Sequence, residues 1–154
     1  MRLFYRWNEV HYPEYENRDV RSHVAAADVQ YHFHNLFAPG IGFEWTEARA
    51  NLENYSYVEK TPIVLLSSRF GRAVTLNLRY RHRNRLYPVE NSQASNYRRR
   101  DRRHDGYMYL SINLGRHLGL IVYGSYLQNI SARADRGFKS LSGGVTLKCL
   151  FPGR

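Results

Sequence analysis

Along much of the chain, apolar residues recur at every second position. The clearest run lies near the C-terminal end, where Leu141, Gly143, Val145, Leu147, Cys149 and Phe151 alternate with Ser140, Ser142, Gly144, Thr146 and Lys148. A period of two sends the two sets to opposite faces of a β-strand. Met108, Leu110, Ile112 and Leu114 alternate in the same way with Tyr107, Tyr109, Ser111 and Asn113, and Val74, Leu76, Leu78 and Tyr80 with Thr75, Asn77, Arg79 and Arg81. Upstream, Ala25, Ala27, Val29, Tyr31 and Phe33 alternate with Ala26, Asp28, Gln30, His32 and His34, and Ile41, Phe43 and Trp45 with Gly42, Glu44 and Thr46. Weaker runs start at Leu3, Val64 and Leu118. The pattern predicts eight strands and no helix.

The breaks between these runs alternate in length. Those around Asn35, at Gly71-Arg72 and at Gly115-Arg116-His117 are as short as hairpin turns, whereas Tyr12 to Arg21, Ala50 to Tyr55, Pro88 to Arg103 and Ala132 to Gly137 are longer and polar. Strict alternation of short and long connections describes an antiparallel up-and-down meander, with every short turn at one end. Residues 1–154 are read as a single β-barrel domain of about eight strands, or as the C-terminal part of a larger barrel. Short turns, long loops and alternating strands of about ten residues are the marks of a transmembrane β-barrel. A soluble barrel inverts the alternation and packs its apolar face inside. Two features favour lipid outside. The polar face carries Arg79, Arg81, Arg83 and Arg85 with the small Gly40, Gly42 and Ser111, while Tyr31, Phe33, Trp45, Phe70, Tyr80 and Phe151 gather near the strand ends of the apolar face, where interfacial aromatics sit.

Composition sharpens this picture. Lys and Arg number 23 against 13 Asp and Glu, a net charge of +10. With 43% apolar residues the chain is not of disordered type, and no apolar run of 18 residues is present to form a helical span. The single cysteine, Cys149, excludes an internal disulfide framework. The first residues lack the apolar stretch and cleavage site of a secretory signal. The positive charge is concentrated in two places: the column Arg79, Arg81, Arg83 and Arg85, and the run Arg98, Arg99, Arg100, Arg102 and Arg103. In a lumen the column would attract acidic solutes by focusing the field, or would be held in salt bridges to Glu44, Glu47 or Asp28. The run is expected in the longest loop, where it would grip lipopolysaccharide phosphates through guanidinium forks.

Arg98-Arg99-Arg100-Asp101-Arg102-Arg103-His104-Asp105 leading into an alternating strand, a Gly-Arg-His-Leu turn, a Tyr-rich strand, a polar loop with Asn129 and Ser131, and a last strand ending in Phe151 together resemble the C-terminal barrels of Gram-negative outer-membrane proteins. The likeness is to the barrels of surface-lipoprotein assembly modifiers and to porin-like proteins that export exopolysaccharide. It implies a place in the outer membrane, a role in transport or in surface-protein or polysaccharide export, and contacts with outer-membrane lipid, lipopolysaccharide and an anionic solute, polysaccharide or lipoprotein. It also implies recognition by the barrel-insertion machinery through a terminal aromatic, the position of Phe151; here Pro152-Gly153-Arg154 follow it.

Chemistry beyond binding finds little footing. Ser22 beside His23 and His104 beside Asp105 carry hydrolase residue types without a GxSxG nucleophile motif, and seven histidines bring such neighbours together by chance. Asp28, His32 and His34 share one strand face, a pattern better explained by hydrogen bonding across a barrel interior than by a metal. The expectation is a non-enzymatic barrel without cofactor or metal. The competing reading is a soluble basic β-barrel that binds an anionic ligand such as RNA, with Tyr97 and Tyr107 stacking on bases.

Overall fold

The computed structural model describes residues 1–11, 19–33, 36–51, 55–87, 100–115, 117–131 and 136–149. His34, Arg98, Arg99 and Phe151 lie outside them. Eight strands follow one another along the chain: β1 (Arg2–Val10), β2 (Val20–Gln30), β3 (Phe37–Ala50), β4 (Tyr57–Phe70), β5 (Val74–Leu86), β6 (Arg100–Asn113), β7 (Leu118–Ser131) and β8 (Phe138–Cys149). Each pairs antiparallel with the next, giving one sheet in sequence order, the predicted meander. Among the described residues β1 pairs with β2 alone and β8 with β7 alone. The sheet is therefore open, with β1 and β8 at its edges.

The strands are longer than the alternation indicates, and the added length lies at the long-loop end. β5 continues to Leu86, and β6 begins at Arg100, inside the stretch expected to be loop. At that end both faces are polar, so period two disappears from the sequence while the backbone ladder continues. At the opposite end the β4–β5 turn is tight: Gly71 takes a left-handed φ of 60°, open to glycine at no steric cost.

Cross-strand partners share a face, so the register fixes the two faces across the sheet. One row runs Asp28, Gly42, Ile63, Arg81, Asp105, Leu127 and Ser140; the row beside it, on the other face, runs Val29, Ile41, Val64, Tyr80, Gly106, Tyr126 and Leu141. The first row belongs to the polar face and the second to the apolar face. Burial does not follow the apolar face. Val24, Ala38, Ala48, Ile63, Thr46, Glu59, Thr61 and Asp101 are buried on the polar face, against Ser68 on the apolar face, while Tyr87 is buried just past β5. On the apolar face Leu141 is 82% exposed, Ile41 72% and Val145 68%. The sheet thus curls around its polar side. Gly40 and Gly42 help it do so: a Cβ on Gly40 would lie 2.8 Å from the Val29 carbonyl oxygen, so only glycine lets β3 approach β2 this closely.

Candidate functional site

The outer, apolar face changes character along each strand. From the short turns toward the long loops, the first charged or strongly polar outer residue is Glu9 on β1, His23 on β2, Glu47 on β3, Lys60 on β4, His82 on β5, His104 on β6, Gln128 on β7 and Lys139 on β8. The register sets their relative heights. Glu9 pairs with Arg21, two residues beyond His23; His23 pairs with Glu47; Lys60 lies two residues below the partner of Glu47, and His82 two below the partner of Lys60; His104, Gln128 and Lys139 share the row of His82. The boundary therefore descends in one direction by six residues across seven strand pairs. At about 3.3 Å per residue and about 4.8 Å between strands, this is an average incline of roughly 30° to the hydrogen-bonding direction, all of it between β1 and β5, with β5 to β8 level. A horizontal boundary on strands tilted by that angle draws the same line, and strands of closed barrels tilt by about 35–45°.

Below the line the outer surface is apolar to the turns except at Ser68. Phe37 to Trp45, Leu118 to Tyr126 and Leu141 to Cys149 each span eight residue steps, about 26 Å along the strand and about 23 Å in height at this tilt. Tyr5, Trp7, Trp45, Tyr80 and Tyr126 stand at its upper limit, and Phe37 and Phe70 at its lower end with Tyr31 and Phe33, whose rings meet edge-on at 4.4 Å. Above the line the outer surface is a charged rim. Arg21 Nε donates to Glu9 Oε1 at 2.9 Å, Arg49 Nη2 lies 2.7 Å from Glu47 Oε1, and Arg100 Nε donates to Asn84 Oδ1 at 2.8 Å. Here too Tyr80 Oη meets His104 Nδ1 at 2.6 Å, with the His82 and His104 ring centroids 4.6 Å apart.

The inner face holds the arginine column. Arg79, Arg81, Arg83 and Arg85 all fall on the polar side of β5, as the alternation requires. Three of them are tied down, by carboxylates other than those expected. Asp105 of β6 accepts a hydrogen bond from Arg103 Nε on Oδ1 at 2.9 Å, and its Oδ2 lies within ion-pair distance of Arg81 Nη2 at 3.0 Å and Arg83 Nε at 2.9 Å. Arg85 pairs with Glu59 at 2.8 Å, and its guanidinium lies 3.9 Å from the centre of the Tyr57 ring. Thr61 Oγ1 donates to Glu59 Oε1. Of the expected partners, Asp28 binds Arg2 and Glu47 binds Arg49. Neither Asp105 nor Glu59 stood out as a partner, because cross-strand neighbours are set by register, which one sequence does not state.

The arginine run divides. Arg100, Arg102 and Arg103 belong to β6 and not to a loop; Arg100 and Arg102 face the outer rim, and Arg103 faces inward to Asp105. Asp101 accepts from Ser131 Oγ at 2.6 Å. Toward the long-loop end the inner face opens into a cavity of about 380 Å³ lined by Arg83, Arg85, Arg103, Arg136, Tyr87 and Phe138, with Glu59, Asp101 and Asn129. Among the described residues no group of three His, Cys, Asp or Glu side chains is placed to hold a metal. Asp28 pairs with Arg2, and among the described residues no Ser–His–acid relay is assembled around His23 or His104, which bond to Tyr5 and Tyr80. Among the described residues no helix is long and apolar enough to cross a membrane, which says nothing of strands. Comparison with protein-family models, curated proteins and solved structures finds no match to this chain.

Proposed function

We propose that this sheet is the wall of a β-barrel in a Gram-negative outer membrane, lipid against its apolar face and water against its polar one, acting without catalysis as a porin-like conduit. One observation carries the reading: the upper edge of the apolar belt never rises from β1 to β8, falling by six residues from β1 to β5 and staying level to β8, in the sense expected where a flat lipid–water boundary cuts tilted strands. A belt about 23 Å high agrees with the apolar band of about 25 Å on outer-membrane barrels. Burial on the polar side supports the same orientation, since a water-soluble barrel buries its apolar side. The open edges β1 and β8 suit a wall that further strands complete. Arg79, Arg81, Arg83 and Arg85 then line the lumen, Arg100 and Arg102 stand at the height of lipopolysaccharide phosphates, and Phe151 retains its proposed role as insertion signal.

Fractionation tests this. The protein is expected in the detergent-soluble membrane fraction, with faster migration in unboiled than in boiled detergent gels. Recovery as a monomer from the aqueous fraction, with cooperative unfolding and no detergent, would favour a soluble basic β-protein binding an anion such as RNA. For conduction, replacing Arg79 and Arg81 with Ala should lower anion preference in planar bilayers; absence of conductance in both proteins would sink the conduit role.

A further inference from the structure

The charge balance around the inner cavity is uneven. Arg81, Arg83, Arg85, Arg103 and Arg136 bring five guanidinium groups to the cavity and the cluster behind it, against the three carboxylates Glu59, Asp101 and Asp105. Among the described residues two positive charges remain in excess, where half-burial weakens screening by water. The excess is localised. Arg85 is satisfied by Glu59, whereas Arg81, Arg83 and Arg103 share the single carboxylate of Asp105. Arg83 and Arg103 both approach it through Nε, at 2.9 Å each. Arg136 adds a third guanidinium with no ion pair among the described residues, and Asn129 Nδ2 fixes its backbone by donating to the Arg136 carbonyl at 2.7 Å.

Guanidinium forks bind tetrahedral oxyanions in a bidentate manner, and two excess charges match a dianion. The cavity, with space for roughly a dozen waters at about 30 Å³ each, is far larger than a bare oxyanion needs. Its walls include Tyr87, which is 7% exposed and packs on Tyr57, and the Phe138 ring, 47% exposed, which offers the larger apolar surface to whatever carries the charge. We infer that this cavity is a binding site for an organic phosphate monoester, its phosphate held by Arg83, Arg103 and Arg136 and its organic part against Tyr87 and Phe138. The inference deepens the reading of the polar face as a lumen lining and uses only that this face is wet.

Calorimetric titration of the full chain, folded in detergent micelles at pH 8 and low salt, tests the site with phenyl phosphate, inorganic phosphate and phenol. Phenyl phosphate should bind at least tenfold more tightly than either of the others. Arg103→Gln and Arg136→Ala should each weaken it about tenfold, and Arg21→Gln on the outer rim should leave it unchanged. Arg136 lies outside the strands, so its removal keeps the sheet intact even if Arg103→Gln does not fold. Equal binding of phenyl phosphate and phenol, or unchanged binding in Arg136→Ala, overturns the site. Equal binding of inorganic and phenyl phosphate overturns the organic part of the assignment. The two readings fail separately: heat-modifiable protein that ignores phenyl phosphate loses only the ligand, and water-soluble protein that binds it loses only the membrane.

Discussion

Arg85 shows why one residue type serves different ends on the same strand. Its partner Glu59 is 4% exposed while the Arg85 side chain is 31% exposed, so the carboxylate is the buried member and depends on the arginine. Removing one member of such a pair strands the other's charge: Arg85→Ala should cost about 3 kcal/mol in urea unfolding. Arg85→Lys should recover only part of this, because a point charge replaces a planar fork lying over the Tyr57 ring. The double change Arg85→Met with Glu59→Leu should cost less than Arg85→Ala alone; a larger cost would mean the pair is more than mutual neutralisation. A second residue reports on the rim. His11, in the β1–β2 connection, lies 2.9 Å from Asp19, and that hydrogen bond, aided by the charges of Asp19 and Glu9, raises its pKa above the ordinary 6.5. The contact is thus fully formed below pH 6.5 and is lost as pH rises through the raised value. NMR titration should find the His11 midpoint above 6.5 and returning toward it in Asp19→Asn; an unchanged midpoint would remove Asp19 as the cause.

Among the elements, β3 sets the curl. Gly40→Val places a Cβ against the Val29 carbonyl and the Gln30 side chain, and should cost about 1–3 kcal/mol as overpacking. Gly71→Ala meets nothing within 4 Å, so only its left-handed φ opposes the change, at about 1 kcal/mol. Equal losses at the two sites in urea titrations would show that backbone conformation, not close approach, governs β3. β6 is the element least legible in sequence. Its Met108–Ile112 half alternates cleanly, but in Arg100–Asp105 both faces are charged and the residues look like loop. The two faces of that half still do separate work, Arg102 on the rim and Arg103 on Asp105.

At the scale of the molecule, the apolar belt is the feature most open to test. Val145 lies within it and is 68% exposed to whatever surrounds the sheet. In water, Val145→Arg should change stability by under about 0.5 kcal/mol, as at other exposed sites. In a lipid bilayer the same change should cost about 2–4 kcal/mol if Val145 sits near mid-depth. Unfolding of the folded chain in vesicles decides between these values, and a negligible loss there would end the membrane reading. Lys139→Arg, above the boundary, serves as the neutral comparison.

The number, order and direction of the strands came from the sequence alone, because period two and the alternation of short and long connections are local properties of the chain. So did the placing of four arginines on one face of β5. Register was decided only in three dimensions. It joined Asp105 and Glu59 to those arginines, divided the basic run between rim and cavity, and lined up eight separate polarity changes into one inclined boundary. Pairing between strands is a long-range choice made by the whole sheet, and no single strand carries it. The direction of curl was likewise tertiary: alternation separates two faces but does not say which one the sheet encloses, and burial of Thr46, Glu59, Thr61 and Asp101 answers that.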